Sequence, residues 1–71
     1  MTWNELKGNW RVLEPRVRRH WYRLTNDDVV SINGEREVLI RRLQERYGFS
    51  SEYAEREIDA WTWLVQLPRA A

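Results

Sequence analysis

One apolar stripe in the first third of the chain constrains the fold more than any other feature. Its members are spaced alternately three and four residues apart, in the order Trp3, Leu6, Trp10, Leu13, Val17, His20 and Leu24. This spacing places them on one face of an α-helix, whereas a half-buried strand would alternate apolar and polar residues. The first third therefore predicts helix with a buried face.

The limits of this helical region follow from two local signals. Thr2 followed by Glu5 has the spacing of a capping box, so the helix is expected to start near Trp3. Pro15 removes an amide donor and crowds the carbonyl of Arg11. The pattern leaves open one bent helix or two helices that meet at Glu14 and Pro15. Because the residue before a proline disfavours helical geometry, the sequence favours a break there.

A short second helix is expected between two turn signals. Residues 25–28, Thr-Asn-Asp-Asp, offer an N-cap and carboxylates for the positive end of a helix dipole, directly before Val29 and Val30. Asn33 and Gly34 then tolerate the left-handed backbone that ends a helix. Asp27 and Asp28 are thus interpreted as capping residues.

Two more helices complete the prediction. The segment from Glu35 to Tyr47 carries an apolar face, and Gly48 follows it as a stop signal. Ser50 or Ser51 caps a last helix whose extent is limited by Pro68. With such short connections, neighbouring helices pack directly on one another. The fold class is therefore all-α, a single small bundle of four to five helices.

The helical spacings also predict which side chains form the core. Eight positions are expected to be buried: Trp10, Leu13, Val17, Trp21, Leu39, Leu43, Ile58 and Trp61.

Length and composition limit the chain to one small domain, residues 1–71. With no cysteine among 71 residues, disulfides, thiolate metal sites and cysteine nucleophiles are excluded. No apolar run is long enough to cross a membrane, and the N-terminus lacks a signal-peptide pattern. We expect a cytoplasmic protein without membrane insertion.

Charge is unevenly distributed although the formal net charge is only +1. Residues 1–24 hold six basic and two acidic side chains, whereas residues 25–71 hold six and nine. The favoured interpretation is that the N-terminal helix docks on an acidic remainder. The alternative is a positive surface for phosphate or anionic lipid.

A cluster of cations and aromatic rings lies within the basic third. Arg16, Arg18, Arg19 and Arg23 surround His20, Trp21 and Tyr22, an alternation found on some nucleic-acid-binding surfaces. Arg11 adds a further cation. Packed aromatic rings with solvated arginines are the favoured explanation, and weak nucleic-acid binding, with Trp21 or Tyr22 stacked on a base, is the alternative.

Trp63 is a second candidate contact residue. It follows Trp61 by two positions, so the two side chains point to nearly opposite sides of one helix. Burial of Trp63 against the first helix is the favoured interpretation. An exposed Trp63 would instead indicate a partner surface or a homodimer contact. We expect a monomer or a weak homodimer.

No catalytic pattern is recognisable. His20 lies on the apolar stripe without a serine or carboxylate one turn away, and is expected to be packed or partly exposed. The three glycines are isolated, which excludes a phosphate-binding loop, and no residues have metal-ligand spacing. We therefore expect no catalytic residues, no cofactor and no metal.

The order of particular residues resembles a known family. The first part of the match comprises Gly8, Asn9, Trp10, Trp21, Leu24, Thr25, Asp27, Asp28, Ile32, Gly34 and Arg36. The second part comprises Leu39, Gln44, Glu45, Arg46, Tyr47, Gly48, Ala54, Glu55 and Trp61. This set, spread over residues 3–61 without a gap, resembles the CsbD-like family of small bacterial stress proteins. Residues 62–71 lie beyond it.

The resemblance implies a fold and a physiological setting, but no reaction. It implies a compact fold grouped with SAM-like bundles of orthogonal helix hairpins, and a cytoplasmic protein of the general stress response. It brings no established catalytic residue, cofactor or ligand. The expected function is thus a non-enzymatic stress protein that acts on an unknown macromolecular partner.

Overall fold

Five α-helices make up the computed structural model, which describes residues 2–65. They are α1 (Trp3–Gly8), α2 (Trp10–His20), α3 (Asn26–Ile32), α4 (Arg36–Tyr47) and α5 (Ser51–Leu64). The described residues contain no strand, so the predicted all-α fold is confirmed. Pro68, predicted to limit the last helix, lies outside the described residues.

The predicted break at Pro15 is wrong, because the chain breaks at Asn9 instead. Asn9 leaves helical geometry with φ −119° and ψ 22°. Its side-chain amide donates to the carbonyl of Glu5 at 2.8 Å, and its backbone N–H donates to that of Leu6 at 3.1 Å. α2 continues through Pro15, which is exposed. Solvent can satisfy the freed carbonyl there, so the helix tolerates the proline.

The caps of the first and third helices form as predicted. Thr2 and Glu5 make a capping box at the start of α1, and Thr25 and Asp28 make a second one at the start of α3. In α5 the cap is Ser50, whose hydroxyl accepts the backbone N–H of Tyr53 at 3.1 Å. Three of the five helix starts are therefore specified by side chains visible in the sequence.

The turn between α3 and α4 ties α1 to the rest of the bundle. Asn33 and Gly34 both have positive φ, 49° and 77°. A Cβ on Gly34 would lie 2.9 Å from Cγ of Lys7, so any side chain there collides with α1. The carbonyl of Gly34 accepts the indole N–H of Trp3 at 2.9 Å. This position requires glycine both for its backbone and for the close approach.

The core confirms all eight predicted buried side chains. The stripe on α1 and α2 docks against α3, where the indole N–H of Trp10 donates to the carbonyl of Val29 at 2.9 Å. Trp21 and Trp61 pack together at 5.3 Å between ring centroids. One stripe residue departs from the pattern: His20 is exposed and meets the ring of Trp21 edge-on at 4.7 Å. The larger, apolar Trp21 takes the buried position.

Candidate functional site

The second half of α2 and the end of α5 border an open groove of about 290 Å³. Three of its lining residues come from α2, two from the end of α5 and one from the position directly after α5: Arg16, Arg19, His20, Trp61, Leu64 and Val65. One wall is therefore cationic and the other apolar. We call this feature the α2–α5 groove.

Trp63 is 84 % exposed, so its predicted burial against the first helix is wrong. Trp61 is 3 % exposed and occupies the core. Because residues two apart lie about 200° apart around a helix, burying Trp61 turns Trp63 to solvent. Leu64 is also 73 % exposed. The end of α5 thus presents two large apolar side chains to solvent, which is the alternative that the sequence left open for this position.

The predicted docking of basic side chains on an acidic remainder does not extend to Arg18 and Arg19. Arg18 and Arg19 are exposed and make no ion pair with any residue from 2 to 65. Lys7 does pair with the acidic remainder, because its Nζ lies 2.7 Å from Glu35 Oε1. Apolar side chains and indole hydrogen bonds also attach α1 and α2 to the bundle. Arg18 and Arg19 remain available to a ligand.

The remaining members of the predicted cluster separate into packed and exposed groups. Trp21 is 2 % exposed, so the suggestion that it stacks on a base is wrong, whereas Tyr22 is 77 % exposed. Arg23 lies with its guanidinium 5.6 Å from the ring centroid of Tyr47, and its backbone N–H donates to that tyrosine's hydroxyl at 3.1 Å. Arg23 therefore holds the segment after α2 on α4.

An ion pair between a buried aspartate of α3 and an exposed arginine of α4 is the charged feature that sequence reasoning missed. Asp28 is buried at the start of α3 and accepts two hydrogen bonds from Arg46, at 2.8 Å from Nε and 2.9 Å from Nη2. Nε of Arg42 lies 3.8 Å from the same carboxylate. Arg42 and Arg46 are four residues apart on α4, so one helix face presents both guanidinium groups. We call this set the Asp28 network.

The Asp28 network fixes the ionisation of its carboxylate. The hydrogen bonds from Arg46 lower the pKa of Asp28 from 3.8 to about 2, with the backbone N–H of Thr25 contributing at 3.0 Å and burial opposing the shift. The same contact raises the pKa of Arg46. Asp28 therefore stays charged and hydrogen-bonded at neutral pH, serving both as cap and as ion-pair partner. The four-residue spacing of Arg42 and Arg46 was the signal in the sequence for the Asp28 network.

A second open pocket, about 330 Å³, lies where α1 meets the start of α4. Three of its charged side chains are already paired within the fold. Besides the Lys7–Glu35 contact, Arg36 Nη2 lies 2.7 Å from Asp59 Oδ1, and its guanidinium is 5.6 Å from the ring centroid of Trp3. These contacts join α1, α4 and α5 and leave little unpaired charge for a ligand.

Two further kinds of site, a metal centre and a membrane-spanning helix, are absent from residues 2–65. Within this range, no three or more His, Asp or Glu side chains come together in a group that could hold a metal ion. Likewise, none of the described helices is long and apolar enough to cross a membrane.

Comparison with known proteins identifies the family. The chain is 41 % identical over 61 residues to the UPF0337 protein YjbJ of Escherichia coli O6:H1, a match covering 86 % of this chain and 88 % of that protein. It is 39 % identical over 61 residues to the UPF0337 protein RPA4217 of Rhodopseudomonas palustris, covering 86 % and 92 %. The chain belongs to the UPF0337 family, which is the CsbD-like family.

A third relative also matches the chain, whereas no solved structure does. The UPF0337 protein ECA0631 of Pectobacterium atrosepticum is 39 % identical over 61 residues, covering 86 % of this chain and 88 % of that protein. No protein-family model and no solved structure matches the chain. The resemblance read from the sequence is thus confirmed at the level of the family.

Proposed function

We propose that this protein is a non-enzymatic, cytoplasmic component of the bacterial general stress response that acts through weak contacts with a macromolecule. The stress setting rests on the CsbD-like family. The binding role rests on one structural observation: Arg19, exposed and without an ion-pair partner in residues 2–65, lines the α2–α5 groove together with exposed Leu64. We assign the contact to the α2–α5 groove and its rim.

The strength expected of this contact follows from charge and size. A formal net charge of +1 gives little long-range attraction, so association depends on the local cations. Trp63 and Leu64 are two exposed apolar side chains and do not form an extended apolar face. A surface of this kind supports contacts that form and dissociate readily rather than a permanent complex.

The non-enzymatic part of the proposal is supported by the state of the buried carboxylate. Asp28 is the buried charged residue among those described, and its lone pairs are taken by Arg46 and Thr25. Its low pKa keeps it ionised, unlike a general acid or base, which needs a pKa near the working pH. The test is a panel of hydrolase, transferase and metal-dependent assays on the pure protein. A robust turnover abolished by one substitution would contradict this part.

The binding role is tested by crosslinking in stressed cells. A photoreactive phenylalanine analogue replaces Trp63 in one strain and Val30, an exposed residue of α3, in a matched control strain. We expect stress-dependent adducts from position 63 and few from position 30. Equal labelling at both positions, or none at either, would contradict a binding role for this end of the molecule.

A nucleic-acid-binding module is the second candidate, favoured by one observation. Arg11, Arg18 and Arg19 on α2 are exposed and make no ion pair among residues 2–65, and exposed Tyr22 follows them. Three phosphate contacts on duplex DNA predict a slope of log affinity against log salt of about −3. Affinity tighter than micromolar at physiological salt, lost in Arg18→Gln and Arg19→Gln, would favour this candidate. Undetectable binding at low salt would eliminate it.

A further inference from the structure

We propose that the α2–α5 groove is a docking site for an acidic peptide segment of a partner protein, in which a carboxylate side chain is next to an aliphatic one. This inference rests on the proposed function, because it names the chemistry of the partner at the same groove. The side chains that line the groove carry it, and Trp63 is not among them.

One wall of the groove is basic. Arg16, Arg19 and His20 are three and four residues apart on α2, so one face of that helix presents all three to the groove. None of the described lining residues is an aspartate or a glutamate. Arg19 is exposed and makes no ion pair among residues 2–65, whereas Arg16 already interacts within the molecule. An anionic group in the groove therefore meets Arg19 without competition from a carboxylate of the described lining.

The opposite wall is apolar, and Leu64 is its exposed side chain. Trp61 and Val65 also line this wall, but both are almost completely buried in the core. Leu64 is 73 % exposed, so most of its apolar surface can still be removed from water by a ligand. A ligand that uses both walls therefore needs an aliphatic group beside its anionic group.

An extended peptide has the geometry that these two walls require. Successive side chains of an extended chain point in opposite directions, so a glutamate followed by a leucine can face Arg19 on one wall and Leu64 on the other. His20 is exposed next to Arg19, and its imidazole can donate a hydrogen bond to a peptide carbonyl. The groove is open and measures about 290 Å³, close to the lower end of the pockets that enclose small molecules. It can hold two side chains while the rest of the chain stays outside.

Two other occupants fit the groove less well. A symmetric second copy places the same groove against itself, so Arg19 of each copy approaches the cations of the other, and like charges oppose the contact. A nucleic acid supplies phosphates for Arg19 but no aliphatic group for Leu64. An acidic peptide with an adjacent aliphatic side chain matches both the charge and the apolar surface of the groove.

The experiment is an amide NMR titration of the full-length protein with four peptides whose ends are blocked. They differ at two adjacent central positions, Glu-Leu, Gln-Leu, Glu-Ser or Lys-Leu, and are flanked by glycines. We expect the Glu-Leu peptide to bind, with shifts concentrated at residues 16–20 and 61–65 and with weaker binding as salt is added. The Gln-Leu peptide should bind about threefold more weakly, the Glu-Ser peptide about tenfold more weakly, and the Lys-Leu peptide least well.

Two variants test whether each wall contacts the peptide directly. Arg19→Gln should weaken binding of the Glu-Leu peptide by about threefold and leave binding of the Gln-Leu peptide unchanged. Leu64→Ser should weaken binding of the Glu-Leu peptide by about tenfold and leave binding of the Glu-Ser peptide unchanged. If a variant weakens both members of its peptide pair equally, its side chain does not make the proposed contact, and the proposal is wrong.

Two controls test whether the effect is specific to the groove. Val30→Ser removes an exposed apolar side chain from α3, and Arg41→Gln removes an exposed cation from α4. Neither residue lines the groove, so both variants should bind the Glu-Leu peptide like the original protein. Circular dichroism of every variant checks that the helices are intact. If Arg41→Gln weakens binding as much as Arg19→Gln, the attraction is non-specific and the docking site is wrong.

Four other results overturn the peptide proposal. They are no binding of the Glu-Leu peptide, equal binding of the Glu-Leu and Lys-Leu peptides, displacement of the peptide by RNA that binds the groove more tightly, and a dimer that excludes the peptide and dissociates in Leu64→Ser. The third result assigns the groove to nucleic acid, and the fourth assigns it to a second copy. In all four cases, stress-dependent adducts from position 63 would preserve the proposed function while the acidic peptide is rejected.

Discussion

The Asp28 network and the α2–α5 groove use the same kind of side chain in opposite ways. In the network, Arg46 contacts a buried carboxylate on another helix at 2.8 Å. At the groove, Arg19 makes no ion pair with a residue from 2 to 65, and Leu64, which lines the groove with it, is exposed. Arginine content therefore says little about function in this chain. What separates the structural arginine from the one proposed to bind is whether a neighbouring helix supplies an anion.

The largest expected effect contrasts two tryptophans of α5. Trp61→Ala removes a core side chain that packs on Trp21, and should lower the free energy of unfolding by about 3–5 kcal/mol. Trp63→Ala should change it by less than about 0.5 kcal/mol, because Trp63 is exposed. Urea denaturation followed by circular dichroism measures both. A comparable loss in the two variants would show that Trp63 belongs to the fold, which would remove it from the binding surface.

The next effect contrasts two neighbouring aspartates. Asp28→Asn keeps a side chain that can cap α3 but removes the charge facing Arg46, and should cost about 1–2 kcal/mol since that arginine is partly exposed. Asp27→Asn removes an exposed charge from the same helix turn and should cost less than about 0.5 kcal/mol. Thermal unfolding of both variants provides the comparison. Equal losses would mean that Asp28 acts through the helix dipole alone.

The smallest effect concerns pH and isolates the Asp28 network. Because the pKa of Asp28 is lowered from 3.8 to about 2, its stabilisation is present above the ordinary value and is lost as pH falls through the folded value. The stability gap between the original protein and Asp28→Asn should therefore be constant above about pH 4 and shrink between about pH 4 and 2. Unfolding measured across this range checks it. A gap that persists at pH 2 would contradict the assigned cause.

Local signals made most of the fold predictable. Thr2, Thr25, Ser50 and Gly48 act through contacts with their own helix ends, so their effect can be read from adjacent residues. The core positions followed from helical spacing. The break predicted at Pro15 is wrong because a helix tolerates a proline when the carbonyl that it frees faces solvent. Whether that carbonyl faces solvent depends on which face of the helix is buried.

The candidate site was less predictable, because it depends on how helices meet. The spacing of Trp61 and Trp63 required one of them to face outward but did not say which helix the other would meet. Arg46 and Asp28 are 18 residues apart, and their contact requires the packing of α3 on α4. Arg18 and Arg19 make no ion pair for the converse reason: no carboxylate among residues 2–65 lies within ion-pair distance of them.

We propose that the α2–α5 groove binds a partner while the Asp28 network serves the fold. The most direct test of this division is amide NMR of the labelled full-length protein during addition of the Glu-Leu peptide or of RNA. We expect shifts or line broadening concentrated at residues 16–20 and 61–65, with little change near Asp28 and Arg46. Perturbations centred on Asp28 and Arg46, or a spectrum unchanged by both additions, would contradict it.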